Sequence, residues 1–124
     1  MASTRISEEL RETSIGVSAA DAESVQLLYQ FGDLVLRYID WKEQEREHKF
    51  LDVLAFRWQE FEGQAPRNDA TYEVLNSNWL ISQAKAQEAA PSDYVHHRIC
   101  FNGNGVLDVI SLKLPSQPAA KNAA

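Results

Sequence analysis

A single cysteine, Cys100, stands in a chain of 124 residues, so no internal disulfide can form and a reducing compartment is the natural setting. No apolar run approaches the roughly 18 residues that a spanning helix needs, which argues against a membrane partner. The opening M-A-S-T-R-I-S-E-E-L carries early acids and no apolar stretch, so a secretory leader is not expected and the chain reads as cytoplasmic. Positive charge is also in short supply: 12 Lys and Arg stand against 18 Asp and Glu, for a net charge of −6. A chain of that sign repels phosphate backbones, so no nucleic-acid partner is expected, while a basic protein is a plausible one. Basic clusters interleaved with aromatics are missing as well.

The familiar catalytic signatures are absent. There is no G-x-G-x-x-G, no G-x-x-x-x-G-K-[ST], no H-E-x-x-H and no G-x-S-x-G. The N-G-N-G stretch shares only its glycines with a phosphate-cradling loop, because no helix N-terminus follows it. Ligands for a metal are few: three histidines and one cysteine. On a strand His96 and Cys100 point one way and His97 the other, so the two neighbouring histidines cannot grip one ion without a bulge. Cys100 reads as a buried free thiol, since a nucleophile needs a histidine within hydrogen-bond reach and His96 lies too far along the strand. No cofactor or metal is expected, and the reading leans away from an enzyme.

What the chain does have is alternation. Val25, Leu27, Tyr29 and Phe31 recur at every second position, the mark of a strand with one face buried. A Gly32-Asp33 turn would set Phe31 opposite Leu34, Tyr29 opposite Leu36 and Leu27 opposite Tyr38. Val35, Ile39 and Trp41 fall on the other face, which therefore also needs cover. A third run, from His48 to Trp58, continues the meander, with Asp52 interrupting its apolar series as a bulge does. Between the second and third runs lies a charged tip. Asp40, Glu43, Glu45 and Glu47 are interleaved there with Lys42, Arg46 and Lys49, beside the apolar Trp41. Such a tip is solvated by default, or it docks a basic partner with Trp41 as anchor.

Gly63 to Asp69 reads as a loop, followed by the short apolar run Y-E-V-L. A helix is predicted from about Ser77 to Ala89, capped by Asn76 or Ser77, with Leu80, Ile81, Ala84 and Glu88 at helical spacing and Pro91 beyond its end. A second hairpin, Y-V-H-H-R-I-C-F then V-L-D-V-I-S-L-K-L, surrounds the two Asn-Gly pairs. With its turn centred on Gly103-Asn104, His97 lies diagonal to Asp108 on one face. A carboxylate there would orient the imidazole and favour its charged form.

The layout V-Q-L-L-Y-Q-F…L-V-L-R-Y-I-D-W…F-L-D-V-L-A-F-R-W, then R-I-C-F-N-G-N-G-V-L-D-V-I, resembles small β-rich bacterial proteins, some of them similar to the immunity proteins found beside polymorphic toxins. The resemblance spans about residues 25 to 114 and lies in hairpin order, not in a diagnostic motif. It implies a bacterial cytosolic binder that blocks a toxin domain, and it carries no catalytic residues.

The expected architecture is an α+β domain over residues 23–114: an antiparallel sheet of about five strands in two hairpin units, with one packed helix, able to curl toward a barrel. Residues 1–22 are expected as a flexible lead-in, where Ile6 and Leu10 offer at most one helical turn, and residues 115–124 as a disordered tail. Three functions fit. The first is a small interaction module of immunity type, recognising a protein through Trp41, Glu43, Glu45 and Glu47. The second is a ligand-binding protein or enzyme built around His97 and Asp108; as an enzyme it requires a deep pocket holding His97 or His48 beside a carboxylate. The third is a homodimeric structural protein, pairing with itself through Val35, Ile39 and Trp41.

Overall fold

The computed structural model describes residues 7–60, 70–101 and 105–113. The alternating runs form strands, and every ladder is antiparallel. Strands β1 (Glu9–Thr13), β2 (Glu23–Gln30), β3 (Asp33–Ile39), β4 (Glu45–Phe50) and β5 (Ala55–Gln59) come first. Then follow β6 (Thr71–Leu75), the helix α1 (Asn78–Ala86), a 3-10 turn at Pro91–Asp93, β7 (Tyr94–Phe101) and β8 (Gly105–Leu112). The α+β architecture, antiparallel strands with one packed helix, is the one expected. Among the described residues the strands divide into two sheets, ordered β2-β3-β4 and β1-β6-β7-β8-β5, and neither closes into a barrel.

The division happens at Asp52. The run from His48 to Trp58 does not continue as one strand: β4 stops at Phe50 and the chain crosses to the other sheet. Asp52 takes φ 49° there, its N–H donating to Asp33 Oδ1 at 3.1 Å and its own carboxylate accepting from Tyr94 Oη at 3.2 Å. The polar interruption is thus a change of sheet and not a bulge, because a short acidic side chain tolerates the left-handed backbone that the crossing needs.

The two sheets face each other across one core. Leu34, Leu36, Tyr38 and Phe50 from the smaller sheet meet Ile99, Phe101, Leu107 and Val109 from the larger. Ala19 and Ala22 lie in the same core, and Tyr38 Oη accepts from the Ser18 N–H at 2.8 Å. The segment before residue 23, expected as a loose lead-in, therefore supplies core residues and the edge strand β1, which pairs with β6 from Glu9↔Leu75 to Thr13↔Thr71. Leu10 belongs to that strand and not to a helical turn; its partner in that expectation, Ile6, lies outside the described residues, as do Gly63 to Asp69 and the tail from residue 114.

On the far face of the larger sheet, α1 packs through Leu80 and Ala84 onto Ile110, with Leu54, Trp79 and Tyr94 around them. Ser77 is its N-cap, the side chain accepting from the Leu80 N–H. Ile81, counted in the apolar stripe from sequence, points to solvent. Covered by a sheet on one side and a helix on the other, β8 is buried from Gly105 to Ser111.

The β2–β3 register differs from expectation by two residues. Tyr29 pairs with Leu34 and Leu27 with Leu36, so the turn is Phe31-Gly32, with φ of 53° and 87°. Positive φ at both central positions is what a type I′ hairpin needs. A shift of two preserves the faces, so the apolar side stays inward.

At Gly105, φ 155°, the end of β5 approaches the β8 backbone closely. A Cβ there would lie 2.5 Å from the Gln59 carbonyl oxygen and 2.8 Å from the Trp58 ring. Gly105→Ala is expected to lower the unfolding free energy by about 1–3 kcal/mol in urea titrations. An unchanged midpoint would contradict this close approach.

Candidate functional site

The β7–β8 ladder runs from Tyr94↔Leu112 to Phe101↔Gly105, placing Arg98 opposite Asp108 and His97 opposite Val109. Compared with a turn centred on Gly103-Asn104, which lies outside the described residues, the ladder is displaced by one residue. In a strand one residue means the other face. His97 therefore does not meet Asp108. His96 does, donating from Nε2 to Asp108 Oδ1 at 2.7 Å.

Asp108 is the centre of a buried polar network beneath α1. Arg98 Nε donates to Oδ1 at 2.8 Å and Arg57 Nε to Oδ2 at 3.3 Å. His96 Nδ1 lies 2.7 Å from Ser77 Oγ, which accepts from Leu80 N at 3.0 Å. Because the carboxylate only accepts, Nε2 carries the hydrogen directed at it, and both ring nitrogens of His96 have a hydrogen-bond partner. The Trp79 ring stacks edge-on to His96 at 5.1 Å and lies 4.3 Å beneath the Arg57 guanidinium. Burial by itself pushes the Asp108 carboxyl up, but the His96 and Arg98 hydrogen bonds and the Arg98 charge outweigh it and hold it below the usual range. Ser, His and Asp in series are also the parts of a nucleophilic triad. Here Ser77 is only 4% exposed and its hydroxyl is committed to the helix cap and to His96. The series works as a clamp that fixes α1 to β7, β8 and β5.

His97 faces the opposite way, into a cleft of about 630 Å³ at the side of the sandwich. The three-stranded sheet is narrower than the five-stranded one, so β4 leaves part of β6, β7 and β1 uncovered. His48 on β4 lines one wall; His97, Glu73 and Arg11 line the other, with Arg11 ion-paired to Glu73. The carboxylate beside His97 in this cleft is Glu73, its cross-strand partner, and not Asp108. Phe50, Leu51, Val95 and Leu112 make its apolar lining, and Lys49, Lys113, Ser14 and Ser111 add polar groups. Burial pushes the His48 ring below its ordinary value. His97 is lowered by burial too, with His96 and His48 adding to the shift and Glu73 opposing it. Both rings are held toward the neutral form. His97 Nδ1 is buried and has no hydrogen-bond partner among the described residues.

The charged tip splits. Asp40 is a structural residue: its carboxylate accepts from the Gln44 and Lys42 N–H groups at 2.9 Å each and from Arg46 at 3.1 Å, closing the β3–β4 turn. The Gln44 backbone bond leads in holding its carboxyl low, against the opposing effect of burial. Trp41, 59% exposed with Lys42 at 5.1 Å from its ring, shares a shallow depression with Glu43, Asp21 and Glu23. Glu45 and Glu47 instead line a second depression beside Arg37 and Arg46, where Glu47 accepts from Arg37 at 3.2 Å.

Among the described residues, no three His, Cys, Asp or Glu side chains gather as metal ligands, and no helix is long and apolar enough to cross a membrane. Fold and site together define a two-sheet α+β sandwich with a lateral cleft. No protein-family model, curated protein or solved structure matches the chain.

The Asp108 clamp has a definite pH signature. Its folded value lies below its unfolded one, so its contribution is complete above the ordinary carboxylate range. It is lost as the pH falls through the lower folded value. Asp108→Ala is expected to cost about 3–5 kcal/mol at neutral pH, because three cationic or polar donors lose their acceptor. The variant should also show a flatter loss of stability in acid than the parent. Parallel acid limbs in chemical-denaturation series would contradict the clamp.

Proposed function

We propose that the chain is a small ligand-binding protein whose site is the lateral cleft, and that its ligand is a compact apolar molecule ending in an anionic group. The supporting observation is the lining of that cleft. Two imidazoles held toward the neutral form and an apolar floor share it with three cations, Arg11, Lys49 and Lys113, and one carboxylate, Glu73; Arg11 is ion-paired to Glu73 and Lys49 lies 3.9 Å from Asp33 Oδ2. In a chain of net charge −6 this is a local reversal of sign, suited to an acid head group with a hydrocarbon body. Neutral imidazoles add one donor and one acceptor each, although His97 Nδ1 itself is buried away from the cleft. Octanoate and octanol make suitable probes, followed through the histidine ring resonances. Octanoate should shift His48 and His97 selectively, and Val95→Trp, which fills the floor, should abolish the shifts. As the pH falls below the ordinary imidazole value the rings gain charge, so octanoate should bind more tightly and octanol should not. No histidine response to octanoate would end this reading.

Trp41 favours a second reading, a protein-interaction module of immunity type. An exposed indole ringed by Glu43, Asp21 and Glu23 suits an arginine or lysine side chain of a basic partner. Co-expression with the protein encoded beside this gene should yield a co-purifying pair, and Trp41→Ala combined with Glu43→Lys should release it. Failure of the unaltered proteins to co-purify would remove the immunity reading.

A further inference from the structure

Each sheet of the sandwich has two edge strands, and three of the four carry the usual protection against pairing. β1 has Glu9, Arg11 and Glu12 within five residues. β4 has Glu45, Arg46, Glu47 and Lys49 within six. β5 is five residues long with Arg57 at its centre. β2 is different. It is eight residues long, its only charge is Glu23 at the start, and from Ser24 through Phe31 there is none. Leu28 on its outer face is 44% exposed, and Phe31 at the turn is 99% exposed. Among the described residues β2 forms a ladder with β3 alone, leaving its other edge open.

We propose that two copies of the chain join through this edge, β2 against β2, antiparallel about a two-fold axis at Leu28. The sequence around that point is self-complementary. The register sets Leu28 opposite the second copy's Leu28, Leu27 opposite Tyr29 and Gln26 opposite Gln30. Every pair is apolar with apolar or amide with amide, and no like charges meet. Registers displaced by one residue put the inward face of one copy on the outward face of the other. Displacement by two sets Leu28 against Gln26 or Gln30. The Leu28 register alone matches like with like at each position.

Other features agree with it. The bulge between Glu23 and Gln26, with Ser24 at φ 54°, confines regular pairing to the uncharged part of the strand. The Tyr29 and Phe56 rings, 5.6 Å apart, lie where β2 overhangs β5, so the apolar seam between the sheets continues to this edge. Joining through β2 leaves the charged β4 strands as the outer edges of the doubled sheet, which stops growth at two copies.

Sedimentation velocity of the full chain over the micromolar to sub-millimolar range tests the proposal. The parent should be a dimer in the upper part of that range. Leu28→Lys places two ammonium groups face to face and should raise the dissociation constant about tenfold or more, with unchanged far-UV circular dichroism. Leu28→Cys in a Cys100→Ser background should form a disulfide-linked dimer on oxidation, while Leu27→Cys, which faces Tyr29, should not. The cross-link decides the matter even if the lysine variant folds poorly. A parent that stays monomeric throughout overturns the proposal and leaves β2 open for a strand of another protein. A dimer that Leu28→Lys leaves intact overturns it as well, and cross-linking at residue 27 instead of 28 overturns the register.

Discussion

Asp108 places a carboxylate in the middle of a strand that is covered on both faces, and the surrounding elements are arranged so that this charge is answered. β8 needs apolar side chains almost throughout, because the smaller sheet lies on one side and α1 on the other. A lone ion there would be untenable, since an isolated buried carboxylate costs many kcal/mol. Arg98 from β7, Arg57 from β5 and His96 from β7 converge on it, and His96 passes the connection to the residue that caps α1. One acidic group thus ties the helix and three adjacent strands into a common geometry. Such a network adds little net stability over an apolar replacement, but losing one member is expensive. Its effect here is to fix the angle and position at which α1 sits on the sheet.

The cleft follows from a different constraint, the unequal width of the two sheets. Three strands cannot roof five, and the shortfall lies beside β4. Apolar residues that would be core under a wider roof, Val95 and Leu112 among them, instead line an opening. Burial holds its histidines toward the neutral form. Alternation along β7 supplies the link between cleft and clamp. His96 points under the helix and His97 into the opening, so two adjacent residues of one type have unrelated surroundings.

Alternation made much of this legible in advance. The inward face of the β2–β3 hairpin, the packed helix with Ser77 at its start and the antiparallel α+β class all follow from spacing and from cap and turn chemistry. What failed was counting across turns. N-G-N-G admits turns of more than one length: centring it on Gly103-Asn104 leaves the β7–β8 ladder one residue away from the observed Phe101↔Gly105 pairing, which exchanges His96 and His97 between faces. At Phe31-Gly32 the error was two residues and the faces survived. The division into two sheets was hidden for another reason. Asp52 looks the same in a sequence whether the chain bulges or leaves for a second sheet, because both need only one residue that tolerates positive φ. The strand β1 was hidden because E-L-R-E-T carries only one apolar residue; its place is set by pairing with β6.

The edges of the sandwich show how these constraints meet. β1 and β4 border the cleft, and their alternating charges both protect them from pairing and supply Arg11 and Lys49 to its rim. Where β2 overhangs β5 the strand itself carries leucine, tyrosine and glutamine instead of charge, although Ser24 and Gln26 at its start border the depression lined by Arg37, Arg46, Glu45 and Glu47. An exposed, uncharged strand is a standing hazard of aggregation unless something occupies it. The charge distribution is thus asymmetric, with charged strands beside the cleft and an uncharged strand at the opposite edge of the smaller sheet. That asymmetry makes the two sides separable: a lysine at Leu28 stands on the far side of the smaller sheet from the cleft, and a tryptophan at Val95 stands away from β2. The proposed ligand site and the proposed pairing edge can therefore be tested one at a time.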